Sequence, residues 1–248
     1  MSAIYNALVE VSKMRKPERL GLFSRLIPVG KNIACSSLVP AMAKRMLLLF
    51  QRIEAALPNK SSKVIQFIGS KQGEGTSTIA REFAKTLAFG INKKVLLLDA
   101  DRVHPSHHGF FGISYGQGWQ DIIRNKWPAE DAIYCYESSD LFVCPSSNTA
   151  MSTPELFDAR VFDPFLNALR PQFDLLVIDS SPIEQSPDGL GIVPKTDGVI
   201  LVVEAEKTKW TVIENLRQQI ENVGGNVLGI VLNKRNYHIP GFVYKFLR

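Results

Sequence analysis

The stretch GSKQGEGTST, Gly69 to Thr78, follows the apolar run VIQFI and leads into IAREFAKTLA. A strand that ends in glycines and gives way to a helix has the build of a phosphate-binding loop. Gly69, Gly73 and Gly75 let the backbone turn tightly and come close to a phosphate, so that N–H groups can point at it. Ser77 and Thr78 then open the helix, whose N-terminal dipole favours an anion. Ser77 stands where the hydroxyl of GxxxxGK[ST] ligates magnesium, but the lysine position of that pattern is Thr76. A Gly-rich strand–helix turn alone is a weak signal, because many α/β proteins carry one for structural reasons.

Outward from the loop, strand and helix signals alternate. Apolar runs occupy 64–70, 94–100, 141–146, 173–180, 197–205 and 226–233, with helical patterns at 77–89, 118–125, 154–169 and 210–223. Continuous Val/Ile/Leu runs without alternation mark strands covered on both faces, hence a mainly parallel sheet. The expectation is a doubly wound α/β domain with helices on both faces. Ahead of it, PAMAKRMLLLFQRIEAAL reads as one amphipathic helix with Met42, Met46, Leu49, Ile53 and Leu57 at helical spacing, stopped by Pro58-Asn59.

In such folds ligands bind at the carboxyl ends of the strands, where the unusual residues of this chain collect. The second strand ends LLLDADRVHP, so Asp99 and Asp101, two apart, point the same way toward the crevice. Paired acids of this kind can hold Mg²⁺ through water, and one can accept a proton from an attacking hydroxyl. The other reading is two capping or solvated aspartates. LLVIDSSP puts Asp179 at a strand end, matching the aspartate that supports magnesium in phosphate-loop proteins. LGIVLNKR ends in Asn233, whose amide could read a nucleobase edge. Four strand-end matches in the right order support each other, and they predict that Asp99, Asp101 and Asp179 converge on Gly73–Ser77. HPSHH, with His104, His107 and His108, reads as a loop over that crevice, with no acid or Cys at ligand spacing to complete a metal site. Trp119, Trp127 and Trp210 read as core or helix-packing residues, and IYCY around Cys135 as a short strand or turn.

Composition bounds the rest. The chain has 248 residues, 45% hydrophobic and 21% charged, enough for one full core and a tail. Cys35, Cys135 and Cys144 lack metal or redox spacing and read as reduced thiols. No apolar run reaches the roughly 20 residues of a membrane-spanning helix, which predicts a cytoplasmic or peripheral protein. Residues 1–60 carry ten Lys/Arg against three Glu. A basic N-terminal region suits an acidic partner or a solvated tail, and Pro and Gly break every helical run in it, so residues 1–38 are expected to be flexible.

The order GEG-x-ST, LLLDAD…HPS, VIDSSP…DGLG, DGVILVVEAEKT and VLGIVLNKR resembles the bacterial tyrosine kinases of capsule and exopolysaccharide assembly, in the MinD/ParA-like branch of P-loop proteins. The resemblance spans residues 39–248. It implies ATP or ADP with Mg²⁺ as ligand. It also implies a membrane chain-length regulator as partner, rings of identical subunits, and autophosphorylation of C-terminal tyrosines. By that resemblance Gly73, Glu74, Gly75, Thr76, Ser77, Thr78 and Asn233 would bind the nucleotide. Ser77, Asp99 and Asp179 would serve the metal, Asp101 the proton transfer, and Tyr237 and Tyr244 would be the acceptors.

The match is incomplete. Thr76 replaces the lysine, Val103 stands at the usual arginine with Arg102 displaced by one, the tyrosine cluster is thinned, and the motif associated with rings is not recognisable. Losing one preorganised donor typically costs ~3–4 kcal/mol in the transition state. Lys71, five residues before Thr76, is placed like the extra lysine of MinD/ParA-type loops; it is either a substitute cation or a solvated loop residue. The expected function is a polysaccharide-assembly protein with weakened phosphoryl transfer. The alternative is a partitioning or positioning ATPase of the MinD/ParA type, although nucleic acid is the less favoured partner.

Overall fold

The computed structural model describes residues 38–114, 116–137, 139–147 and 153–235. The basic segment up to residue 37, Cys35, Tyr237 and Tyr244 lie outside the described residues.

The chain opens with α1 (Pro40–Ala56), then β1 (Lys63–Gly69), α2 (Thr76–Ile91) and β2 (Val95–Ala100). Short helices α3 (His107–Phe111) and α4 (Trp119–Asn125) precede the hairpin strands β3 (Tyr134–Cys135) and β4 (Leu141–Cys144). Next come α5 (Thr153–Leu156), α6 (Ala159–Leu169), β5 (Leu175–Ser180), α7 (Asp188–Ile192), β6 (Gly198–Glu204), α8 (Trp210–Asn222) and β7 (Val227–Asn233). The described strands form one sheet in the order β3-β4-β2-β5-β1-β6-β7. Every neighbouring pair is parallel except β3 with β4.

Strand composition explains the layering. All residues of β1, β2, β4 and β5 are buried. Ile65 and Phe67 of β1 and Val95 and Leu97 of β2 face the cluster under α2. Their neighbours Val64, Leu96 and Leu98 face the cluster that holds Trp119, Phe162 and Phe165. Ile68 joins Ile213, Leu216 and Ile220 of α8 in a third cluster. Two covered faces leave no room for polar alternation. α1 lies on α2 as its apolar stripe predicts: Met46 and Ile53 are buried, and Met42, Leu49 and Leu57 pack against the same cluster. Phe83 joins the layers, with ring centroids 6.5 Å from Phe50 and 5.3 Å from Phe67. Replacing it with alanine would cost ~3–5 kcal/mol.

Three expectations need correction. The helix read across 154–169 breaks at Phe157–Asp158, because Asp158 caps α6 by accepting the Arg160 N–H at 2.8 Å. The run at 141–146 is strand only to Cys144. Of the three tryptophans only Trp119 is fully buried; Trp210 is 66% exposed at the first position of α8, outside the stripe that faces the sheet, and Trp127 is half-exposed.

Candidate functional site

β1 sits between β5 and β6, so the segment after it emerges at the carboxyl edge of the sheet among the other strand ends. Gly75 has φ +92° at the N-cap of α2, in the left-handed region that favours glycine, and Gly73 is similar at +87°. A side chain at Gly75 would also strike the Asn233 amide, since a Cβ there would lie 2.2 Å from Nδ2. The first backbone hydrogen bond of α2 runs from Ile79 N–H to the Gly75 carbonyl at 3.0 Å. The N–H groups from Gly73 to Thr78 find no acceptor among the described residues. A row of open amides at a helix N-terminus is an anion nest.

Glu74 holds this loop from within. Its buried carboxylate accepts the Ser70 N–H at 2.6 Å, the Ser70 hydroxyl at 2.9 Å and the Lys71 N–H at 3.1 Å. The Thr208 hydroxyl, beyond β6, donates to it at 2.6 Å. The side chain is therefore spent on the protein, and only the N–H of Glu74 is left for a ligand. Thr76 is buried and turned under the loop; a Cβ on Gly69 would lie 2.7 Å from its Oγ1 and 2.9 Å from Glu74 Oε2. Ser77 is half-buried and Thr78 exposed in the first turn of α2. Lys71 is half-buried within the loop.

The end of β7 clamps the outer side. Asn233 Nδ2 donates to the Glu74 carbonyl at 2.9 Å, and Lys234 Nζ donates to the Gly73 carbonyl at 2.5 Å. Asn233 thus has one amide hydrogen on the loop, which leaves its other hydrogen and its oxygen for any base. The segment after β5 secures the inner side, with Ile183 N–H on the Gly69 carbonyl and Glu184 N–H on the Ser70 carbonyl, both at 3.1 Å.

The acidic residues meet beside the loop. Asp99 and Asp179 are register neighbours on β2 and β5, and Asp179 is also in register with Phe67 of β1. Asp101 Oδ1 accepts the Val103 and His104 N–H groups, each at 3.0 Å, and the Ser181 hydroxyl at 2.8 Å. One oxygen of the expected proton acceptor is therefore a turn cap. Arg102 pairs with Asp188 of α7 at 3.4 Å.

His107 was expected in a loop over this crevice, not inside the acidic cluster. The turn that Asp101 caps folds the chain back, so the first residue of α3 enters the acidic cluster and is fully buried. Its Nε2 lies 2.9 Å from Asp179 Oδ2, and its backbone N–H and that of Ser106 donate to Asp99 Oδ2 at 3.0 and 3.1 Å. Asp99, His107 and Asp179 place ligand-type atoms within 4.8 Å of one another. Burial pushes the Asp99 carboxyl up to about 6, with His107 drawing it down and Asp179 raising it. HPSHH is thus part of the acidic cluster, with only His104 exposed. Its signal in the sequence was a histidine eight residues beyond Asp99, a spacing that carries no meaning until the turn is known.

Direct coordination of a magnesium ion by both carboxylates fits this arrangement poorly. Mg²⁺ demands near-octahedral oxygen ligands. Here the Oδ2 atoms of both carboxylates already accept N–H groups and the His107 imidazole lies against Asp179, so only the two Oδ1 atoms are without a partner among the described residues.

Fold and loop together define a phosphate-loop α/β protein. Residues 62–231 match the family described as AAA domain. Tyrosine-protein kinase CpsD of Streptococcus agalactiae serotype III (strain NEM316) is 30% identical over 192 residues, which are 77% of this chain and 82% of that protein. Among solved structures, the chimerical protein CapA2B2 has a TM-score of 0.72 at 25% identity, covering 78% of this chain and 85% of its own. The VpsO kinase domain has a TM-score of 0.68 at 27% identity, covering 77% and 97%. The chain belongs to the AAA-domain family and, within it, to the bacterial tyrosine kinases of capsule and exopolysaccharide biosynthesis. No helix among the described residues is long and apolar enough to cross a membrane.

Proposed function

We propose that this chain binds the phosphates of ATP or ADP on the loop Gly73–Thr78 and transfers phosphoryl groups poorly, acting in exopolysaccharide assembly as a nucleotide-sensing member of its family. The observation that carries this reading is the row of open amides before Ile79 combined with the buried Thr76. Backbone donors do not depend on the side chain at position 76, so affinity for phosphate survives. The ammonium that a lysine would supply is needed most as charge moves off the transferred group, so rate suffers more than binding.

Within this reading Asp101 retains an oxygen for a proton, Lys71 and Lys234 are the cations nearest the loop in sequence or contact, and Tyr237 and Tyr244 are the acceptor candidates. The partner is a membrane chain-length regulator, contacted through the basic segment before α1, and residues 39–248 act as one domain at the inner face of the membrane.

Calorimetric titration of ADP and ATP into the full chain tests the binding half; no heat of binding for either would refute it. Phosphotyrosine formation tests the other half. Wild type should be slow, and Thr76→Lys should be faster by on the order of 10²-fold. An unaltered chain turning over at an ordinary kinase rate of ~1–100 s⁻¹ would sink the reading and make Lys71 the leading catalytic candidate.

A further inference from the structure

Asp99 and Asp179 are completely buried side by side, each with an Oδ1 that has no hydrogen-bond partner among the described residues. Such a pair calls for positive charge or N–H donors, and in a phosphate-loop protein a divalent cation is the usual provider. Here the chain itself supplies a donor to the Oδ2 atom of each carboxylate. His107 Nε2 reaches Asp179 Oδ2 at 2.9 Å while its own N–H reaches Asp99 Oδ2 at 3.0 Å, so one residue bridges both carboxylates.

The second ring nitrogen decides what the imidazole is for. Nδ1 faces the Arg81 guanidinium at 3.5 Å, and that guanidinium is held over the Phe110 ring, 3.8 Å from its centroid. A guanidinium can only donate, so Nδ1 accepts and Nε2 carries the hydrogen that goes to Asp179. A metal-ligating histidine is wired the other way: the ligating nitrogen is bare, and the other N–H points at a carboxylate or carbonyl. An N–H on Nδ1 would point into a cation.

We propose that His107, backed by Arg81, is a built-in replacement for the divalent cation, filling the place between Asp99 and Asp179 so that the crevice meets its ligand without a metal ion. The inference rests on the nucleotide reading for its meaning. Its test contains no nucleotide, so either can fail without the other.

The experiment measures the melting temperature of the full chain with millimolar MgCl₂ or MnCl₂ against sodium chloride of equal ionic strength. Wild type should not respond. His107→Ala should melt lower, because two buried carboxylates then face each other, and each cation should raise its melting temperature. The rise should be roughly 3–6 °C at ten times the dissociation constant, for a chain of this size. His107→Gln, which keeps an N–H donor for Asp179, should stay insensitive.

A cation response in wild type overturns the proposal, and if that response vanishes in His107→Ala then His107 is itself a ligand. No response in either protein also overturns it, because His107 would not be what keeps the cation out. Should His107→Ala fail to fold, Mn²⁺ titrated into wild type and read by electron paramagnetic resonance decides. One tightly immobilised equivalent is against the proposal; an undiminished free-ion signal supports it.

Discussion

Replacing Glu74 should do more damage than any other single change within the loop that leaves the glycines alone. The carboxylate is 1% exposed and accepts from Ser70 N–H, Ser70 Oγ, Lys71 N–H and Thr208 Oγ1. In Glu74→Ala the two hydroxyls can rotate to other acceptors, but the two amides are fixed by the turn. Each buried donor left unsatisfied costs about 1–3 kcal/mol, so the pair sets a range of about 2–6 kcal/mol. Water entering from the half-exposed side of the loop brings the expected loss to about 3 kcal/mol. For a domain of this size that is a fall in melting temperature of about 6–12 °C. Glu74→Gln keeps an oxygen for the two amides and should lose only about 1 kcal/mol. Urea unfolding followed by circular dichroism, at constant m-value, measures both. A double-mutant cycle with Thr208→Val should give a coupling of about 1 kcal/mol, the share of the clasp that crosses to the β6 side. If alanine costs no more than glutamine, or the coupling is zero, the loop is not held by this carboxylate and its shape must come from the glycines alone.

Gly75→Ala should cost about 1–3 kcal/mol from the positive φ alone and weaken ADP binding, with Asn233→Ala in the same chain recovering part of the loss by removing the clash; urea midpoints and calorimetry report the two effects. Trp119→Phe removes the indole N–H that donates to the Asp99 carbonyl at 2.8 Å and should lower stability by about 2 kcal/mol in the same unfolding assay. The Asp99 carboxyl, raised by burial from 3.8 to about 6, binds its proton more tightly folded than unfolded. Its contribution is therefore fully present below about pH 4 and lost as pH rises through about 6. The urea midpoint of wild type should accordingly gain less on raising pH than that of Asp99→Asn, and parallel profiles would refute the assignment.

The sheet could be read from the sequence because its buried strands are unbroken apolar runs, and LLLDAD and LLVIDS carry their acids at the last turn of the pattern. The same reasoning treats NVLGIVLN like the others, although β7 is an edge strand with Leu232 62% exposed. Strand order is set by long-range pairing, and nothing in an apolar run states which neighbours it will have. At the site, glycine spacing gave the loop and the strand-end rule gave the acids. What remained hidden was side-chain direction. Glu74 reads as a ligand-facing residue from its place in the loop, yet hydrogen-bond competition from Ser70, Lys71 and Thr208 turns it inward. His107 depended on a turn that Asp101 and Ser181 build together, and Ser181 is eighty residues away in the chain.

The position of β1 also bears on how the protein comes into being. Its partners begin at Leu175 and Gly198, so the strand that leads into the phosphate loop leaves the ribosome long before either exists. Pairings of such sequence separation carry a loop-closure cost that local helices do not, and they form late. Until β6 is synthesised, VIQFIG has an unsatisfied ladder on one side at least and is exposed to wrong partners. The loop is thus among the first parts of the domain to be made and among the last to be seated. A nascent chain stopped before Gly198 would carry the full GSKQGEGTST motif and still be unable to hold a phosphate.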